Sequence, residues 1–175
     1  SVYYAVGTEL TSSNYSTAGS TTIPTKTDAG SYTVYYYTPG NGNYSAKNGS
    51  VTSKINAYNL TNATIASVSS QTYTGSAITP TPVVTVPLPS SSSPTTLTNN
   101  TDFTYSYSNN TNAGTATVTV TGKGNYTGSK SINFTIGKKG NTLSVTAKTL
   151  TYNKKDQALV SVSNAQGTVY YAVGT

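Results

Sequence analysis

Apolar and polar positions alternate with a period of two along much of this chain, the spacing of a strand with one covered face and one wet face. Residues 115–122, TATVTVTG, place Ala116, Val118 and Val120 on one side and Thr115, Thr117, Thr119 and Thr121 on the other. Residues 131–137, SINFTIG, do the same with Ile132, Phe134 and Ile136. The intervening GKGNYTGS supplies Gly and Asn for positive φ, so the two runs predict a hairpin. After DAG, Tyr32, Val34 and Tyr36 alternate with Thr33, Tyr35 and Tyr37, and TPGNGNYS makes the next turn. Further strands are predicted over 64–68, 83–86, 103–107, 143–147, 158–162 and 169–173. Short strands about every ten residues, with turn chemistry between them, predict an all-β chain of small sandwiches with Greek-key connections and essentially no helix. One stretch breaks the rhythm. PLPSSSSPTTLTNNT, residues 87–101, carries three Pro and four consecutive Ser and reads as a long exposed loop.

The phrase VYYAVGT occurs at residues 2–8 and again at 169–175, a spacing of 167 residues. Inside that period lies a weaker repeat: DAGSYTVYYYTPGNGNYS from Asp28 aligns with NAGTATVTVTGKGNYTGS from Asn112 at a spacing of 84, which becomes 82 beyond YYYTPG. QTYT at Gln71 is echoed by LTYN at Leu150. Each period therefore holds two related modules, the texture of a tandem array. Residues 57–139 are expected to form one complete β-module, 1–56 the C-terminal part of another, and 140–175 the N-terminal part of the next. With no initiator Met, signal segment or long apolar run, the chain reads as a piece of something longer. A half-module exposes unpaired backbone edges. The candidates for pairing between modules or subunits are the alternate residues of the repeated phrase: Val2, Tyr4 and Val6, with Val169, Tyr171 and Val173 in the second copy.

Composition narrows the chemistry. Only 8% of residues are charged, against 16 Tyr and an abundance of Thr and Val, which favours pleated strands over helix or disorder. The chain has no His, Cys, Met, Trp or Arg, so sheet pairing and packing hold the fold without disulfides, and nucleophilic triads of the usual kind cannot be assembled. The four acids, Glu9, Asp28, Asp102 and Asp156, are too dispersed for a calcium cage or a glycosidase pair. Asp28 and Asp102 sit beside turns, where capping is the expected role. No catalytic residue, metal or cofactor is expected. The net charge of +6 rests on ten scattered Lys, a pattern that keeps sheet edges soluble and does not read nucleic acid. Asn-x-Ser/Thr triplets such as the one at Asn59 are numerous, as chance supplies them in so Asn- and Thr-rich a chain.

DFTYSYS followed by NNTNAGTATVTVTGKGNYTGSKSINFTIGKK resembles the immunoglobulin-like modules of the MBG type, repeats of large surface proteins of Gram-positive and related bacteria. The residues that carry the resemblance are 102–107, Asn112, Ala113 and Gly114, and 122–128; residues 57–139 match well and the split module more loosely. The resemblance implies an extracellular, cell-surface location and a stalk or display role, with neighbouring copies of the repeat as partners. Surface sandwiches similar to these sometimes carry a Lys-to-Asn crosslink, but alternation sets Lys54 and Lys148 opposite the Val-bearing face, where solvated lysine is the expected state. Two other readings accompany the stalk. Half-modules of separate subunits complement one another by strand addition, or outward Tyr35 and Tyr37 contact cell-surface or host glycans. No membrane insertion is expected.

Overall fold

The computed structural model describes residues 1–89 and 91–174. The chain is all-β. Its elements run in order β1 (Tyr3–Val6), α1 (Tyr15–Ala18), β2 (Gly30–Thr38), β3 (Lys47–Ile55), β4 (Tyr58–Asn59), β5 (Thr64–Ile65), β6 (Gln71–Thr72), β7 (Val84–Val86), β8 (Thr95–Thr96), β9 (Phe103–Ser108), β10 (Gly114–Gly122), β11 (Tyr126–Thr127), β12 (Ser129–Gly137), β13 (Ser144–Ala147) and β14 (Val160–Ser163). Among the described residues, the 3-10 turn Leu60–Asn62 and the one-turn α1 supply the helical ones.

Residues 58–137 build two main sheets, with β4 and β11 paired in parallel as a short third one. Of the main two, one has the order β6-β12-β10-β9 and the other β5-β7-β8. They pack face to face because alternation turns Val118 and Val120 of β10, and Phe134 and Ile136 of β12, away from water. Val84 and Val86 of β7 meet Val120 from the opposite sheet, with Leu60, Ala63, Ile65, Leu97 and Phe103 completing one buried cluster. Ala116, Val118, Phe134 and Ile136 form the adjoining one. Gly122 is required where β10 ends: a Cβ there would lie 2.7 Å from Thr127 N, so only glycine lets β11 cross so closely.

Within the exposed loop expected over 87–101, residues 91–94 and 98–101 are exposed, Ser90 lies outside the described residues, and 95–97 depart from the expectation. Thr95 and Thr96 pair with β7, and Leu97 is buried in the main cluster, with Leu97 N donating to Val84 O at 2.9 Å. One apolar side chain in a polar run is enough to pull the return of the loop onto the sheet.

The N-terminal sheet has the order β1-β2-β3. Its own small cluster contains Ala5, Leu10 and Tyr37, with Tyr3, Tyr15 and Tyr35 against it. Tyr15, delivered by α1, stacks on Tyr37 with centroids 4.7 Å apart and meets Tyr3 edge-on at 4.8 Å. The C-terminal residues form one hairpin, β13-β14, without a buried residue. No strand pairing joins it to the N-terminal sheet among the described residues.

Candidate assembly interface

The N-terminal sheet repeats the central one rung for rung. Val34 stands between Val6 and Val51 as Val118 stands between Tyr107 and Ile132. Gly30 pairs with Ile55 as Gly114 pairs with Ile136, so SVTSKIN from Ser50 occupies the place of SINFTIG from Ser131. The antiparallel register is inherited with the sequence, since a slip of one residue would exchange the two faces.

The C-terminal hairpin repeats β5-β7 in the same way. Ala147 pairs with Val160 and Thr146 with Ser161, as Ile65 pairs with Val84 and Thr64 with Thr85. Lys148 N donates to Leu159 O at 2.9 Å, matching Ala66 N to Val83 O at 2.9 Å. LVSV at Leu159 and VVTV at Val83 therefore hold one position in the two copies. The likeness reaches the turn after LTYN. Lys154 has φ 61° and Lys155 N donates to Asn153 Oδ1 at 3.0 Å; Gly75 has φ 88° and Ser76 N donates to Thr74 Oγ1 at 3.2 Å.

Cover is what differs. In the central module the inward residues of β7 and β10 are shut from water. In the N-terminal sheet the equivalent face carries Tyr32, Val34 and Tyr36, which are half-buried, and Val51, which is 57% exposed. Tyr36 lies along Gly49, the absence of a side chain there giving its ring room: a Cβ would sit 2.7 Å from Tyr36 Cζ. In the C-terminal hairpin, Val145 is 52% exposed, and an open apolar hollow of about 710 Å³ lies over Val145, Val160, Val162, Val169 and Tyr171.

The repeated phrase takes two states. Tyr4 and Val6 stand on β1 opposite Tyr36 and Val34, with Val2 beside them just outside the strand. Val169, Tyr171 and Val173, the same residues one period later, lie outside any strand, contrary to the strand expected over 169–173; Tyr171 is 65% exposed. Pairing needs an adjacent strand, and β2 supplies one only to the first copy. The outward Tyr pair also needs correction: Tyr37 is 7% exposed inside the N-terminal cluster and Tyr35 packs against it, because the segment carrying α1 folds over their face. Lys54 and Lys148 are exposed.

A joint between the N-terminal sheet and the central module escapes sequence reading. Asn125 Oδ1 accepts from Ala29 N at 2.6 Å, and Asn125 Nδ2 donates to Asp28 Oδ1 at 2.9 Å. One amide thus satisfies the corner of DAG from the next module's GNY turn, taking the carboxylate expected to cap its own turn. DAG and GNY are both preserved turns of the repeat, but nothing in either marks the other as its partner. Asp102 does cap locally, accepting from Thr98 N at 2.8 Å. Lys130 is another surprise: it stands opposite Val120 on the inward side of β12, and its ammonium donates to the carbonyls of Ala63 at 2.6 Å and Thr61 at 3.3 Å. The aliphatic stem packs while the head reaches the sandwich rim.

Two phenols tie β9 to the segment before β7. Tyr107 donates to Pro80 O at 2.8 Å and Tyr105 to Pro82 O, stitching a proline-bearing segment to β9. Burial holds the Tyr105, Tyr107 and Tyr126 hydroxyls above the ordinary tyrosine range, with neighbouring Tyr107 adding to the effect at Tyr105 and Asp102 at Tyr126. Among the described residues no three of His, Cys, Asp or Glu come together as metal ligands, and no helix is long and apolar enough to cross a membrane. No protein-family model matches the chain, and comparisons with curated proteins and with solved structures return no match.

Proposed function

We propose that this chain is a segment of a repetitive extracellular fibre or stalk, of the kind built by large adhesin-like bacterial surface proteins, in which immunoglobulin-like modules in tandem extend or display a binding tip. The observation that carries this reading is the rung-for-rung equivalence of the N-terminal and central sheets, joined to the return of VYYAVGT after 167 residues. Two related modules alternating along one polypeptide form a quasi-one-dimensional array whose stability adds from unit to unit. The Asn125 clasp on Asp28 and Ala29 restrains bending at the joint. No catalytic role, metal or cofactor belongs to this reading, and its partners are neighbouring copies of the repeat.

The test is the mass and mechanics of the native material. A covalent array gives a very large polypeptide under denaturing conditions, and stretching it yields repeated unfolding steps, each releasing roughly 270–300 Å for a module of about eighty residues. A native species at the 18.1 kDa of this chain, without such steps, would replace the stalk with separate subunits.

A further inference from the structure

The central module shows how a sheet of this type is finished at its outer edge. Beyond β12 lies β6 in parallel, with Gln71 beside Ile136 and Thr72 beside Gly137, and Tyr73 N donating to Gly137 O at 2.9 Å. In the N-terminal sheet the residues equivalent to Ile136 and Gly137 are Ile55 and Asn56, and among the described residues β3 has a neighbour on one side only. Ile55 and Asn56 line an open cleft of about 700 Å³. The segment equivalent to β6 is Leu150-Thr151-Tyr152, which is followed by the same left-handed corner as β6 but pairs with no strand among the described residues. One half holds an edge without its strand and the other a strand without its edge.

We infer that the outer edge of β3 takes Leu150 and Thr151 of a second copy of this chain as a parallel strand, Leu150 beside Ile55 and Thr151 beside Asn56. The β13-β14 hairpin of that copy then covers the open face of the N-terminal sheet. Val145, Ala147, Val160 and Val162 stand in the places of Ala63, Ile65, Val84 and Val86, and they meet Tyr4, Val34, Tyr36 and Val51. The occupant is identified by the chain itself, which carries the same two parts already assembled at residues 58–137. The docked hairpin brings Val169–Val173 to the edge of β2 that Tyr3–Val6 occupies, so the two copies of the phrase compete for one slot. In a covalent array the two are a single segment and the competition vanishes. The inference deepens the fibre reading by naming the contact between successive copies, and it rests on the equivalence of the modules.

The chain has no cysteine, so introduced thiols report the register without background. Asn56 and Thr151 are exposed, and adjacent parallel strands hold paired Cα atoms within disulfide range. Full-length Asn56→Cys and Thr151→Cys chains are mixed and oxidised; in a second arm, one chain is lengthened by residues 9–56 after Thr175, with the thiols at Thr151 and at Asn56 of the added segment. Lys26→Cys replaces Asn56→Cys as the control. Complementation between separate chains gives a disulfide dimer at twice 18.1 kDa, about tenfold or more above the control. Complementation along a continuous chain gives an internal disulfide in the lengthened chain. Crosslinking at control level in both arms overturns the pairing, and regular unfolding steps in the native fibre would still stand, so the two failures are told apart.

Discussion

Ala116 lies directly across the β10-β12 ladder from Phe134, both buried, and at the matching rung of the N-terminal sheet Tyr32 lies across from Ser53. The large ring changes strands while the pair keeps one large and one small member, as two modules sharing a backbone must if their cores are to fill similar space. Phe134→Ala is therefore expected to destabilise the central module by about 3–5 kcal/mol, whereas Tyr32→Ala, at a half-covered position, costs less than half of that. Denaturant unfolding of the two variants checks it.

The same contrast holds between the inner strands. Val86 is shut from water and its counterpart Val162 is not. Val86→Ala should cost about 2 kcal/mol and Val162→Ala less than about 1 kcal/mol in dilute protein, read as shifts in the unfolding midpoint.

Gly122→Ala pushes a methyl group against the β11 backbone, 2.7 Å from Thr127 N and 2.8 Å from Tyr126 C. A loss of about 1–3 kcal/mol is expected, while Thr38→Ala at the equivalent rung of the N-terminal sheet is nearly neutral. Thermal unfolding of both variants measures the difference.

Asn125→Ala removes two hydrogen bonds at an exposed joint and no core contact. The expected cost to the central module is small, about 1 kcal/mol or less, but the N-terminal sheet should reorient more freely. NMR relaxation provides the readout: separate tumbling of residues 1–56 in the variant and common tumbling in the parent.

Stability should fall in alkali. Burial favours the neutral phenols of Tyr105, Tyr107 and Tyr126, so the folded chain holds these protons more tightly than the unfolded one. Their contribution is whole below the unfolded value near 10 and is lost as pH rises through the higher folded values. Melting temperatures from pH 8 to 11.5 should decline from about pH 10 upward, and Tyr107→Phe should flatten the decline while lowering stability at pH 8 through the unpaired Pro80 carbonyl.

Much of the fold was legible because strand geometry is local. Alternation at Ala116, Val118 and Val120, and at Ile132, Phe134 and Ile136, sets side-chain direction without reference to any neighbour, and both strands form over nearly the predicted residues. The joint was not legible, since Asn125 and Asp28 are 97 positions apart and either residue would serve equally well in its own turn. Leu97 was hidden inside a polar run whose composition gave no sign that its far end returns to the sheet.

The sequence by itself determined the strands, their alternating faces, the turns and the 167-residue recurrence, because these follow from dihedral preference and from identity of residues. Only the tertiary structure decided which face of the tyrosine-rich β2 is core. Tyr37 is buried because a remote segment folds over it, and Tyr36 is half-covered because none does. The phrase VYYAVG makes the division plain: beside β2 it is a strand, and 167 residues later it is not, since a strand's hydrogen bonds belong to its neighbour as much as to itself.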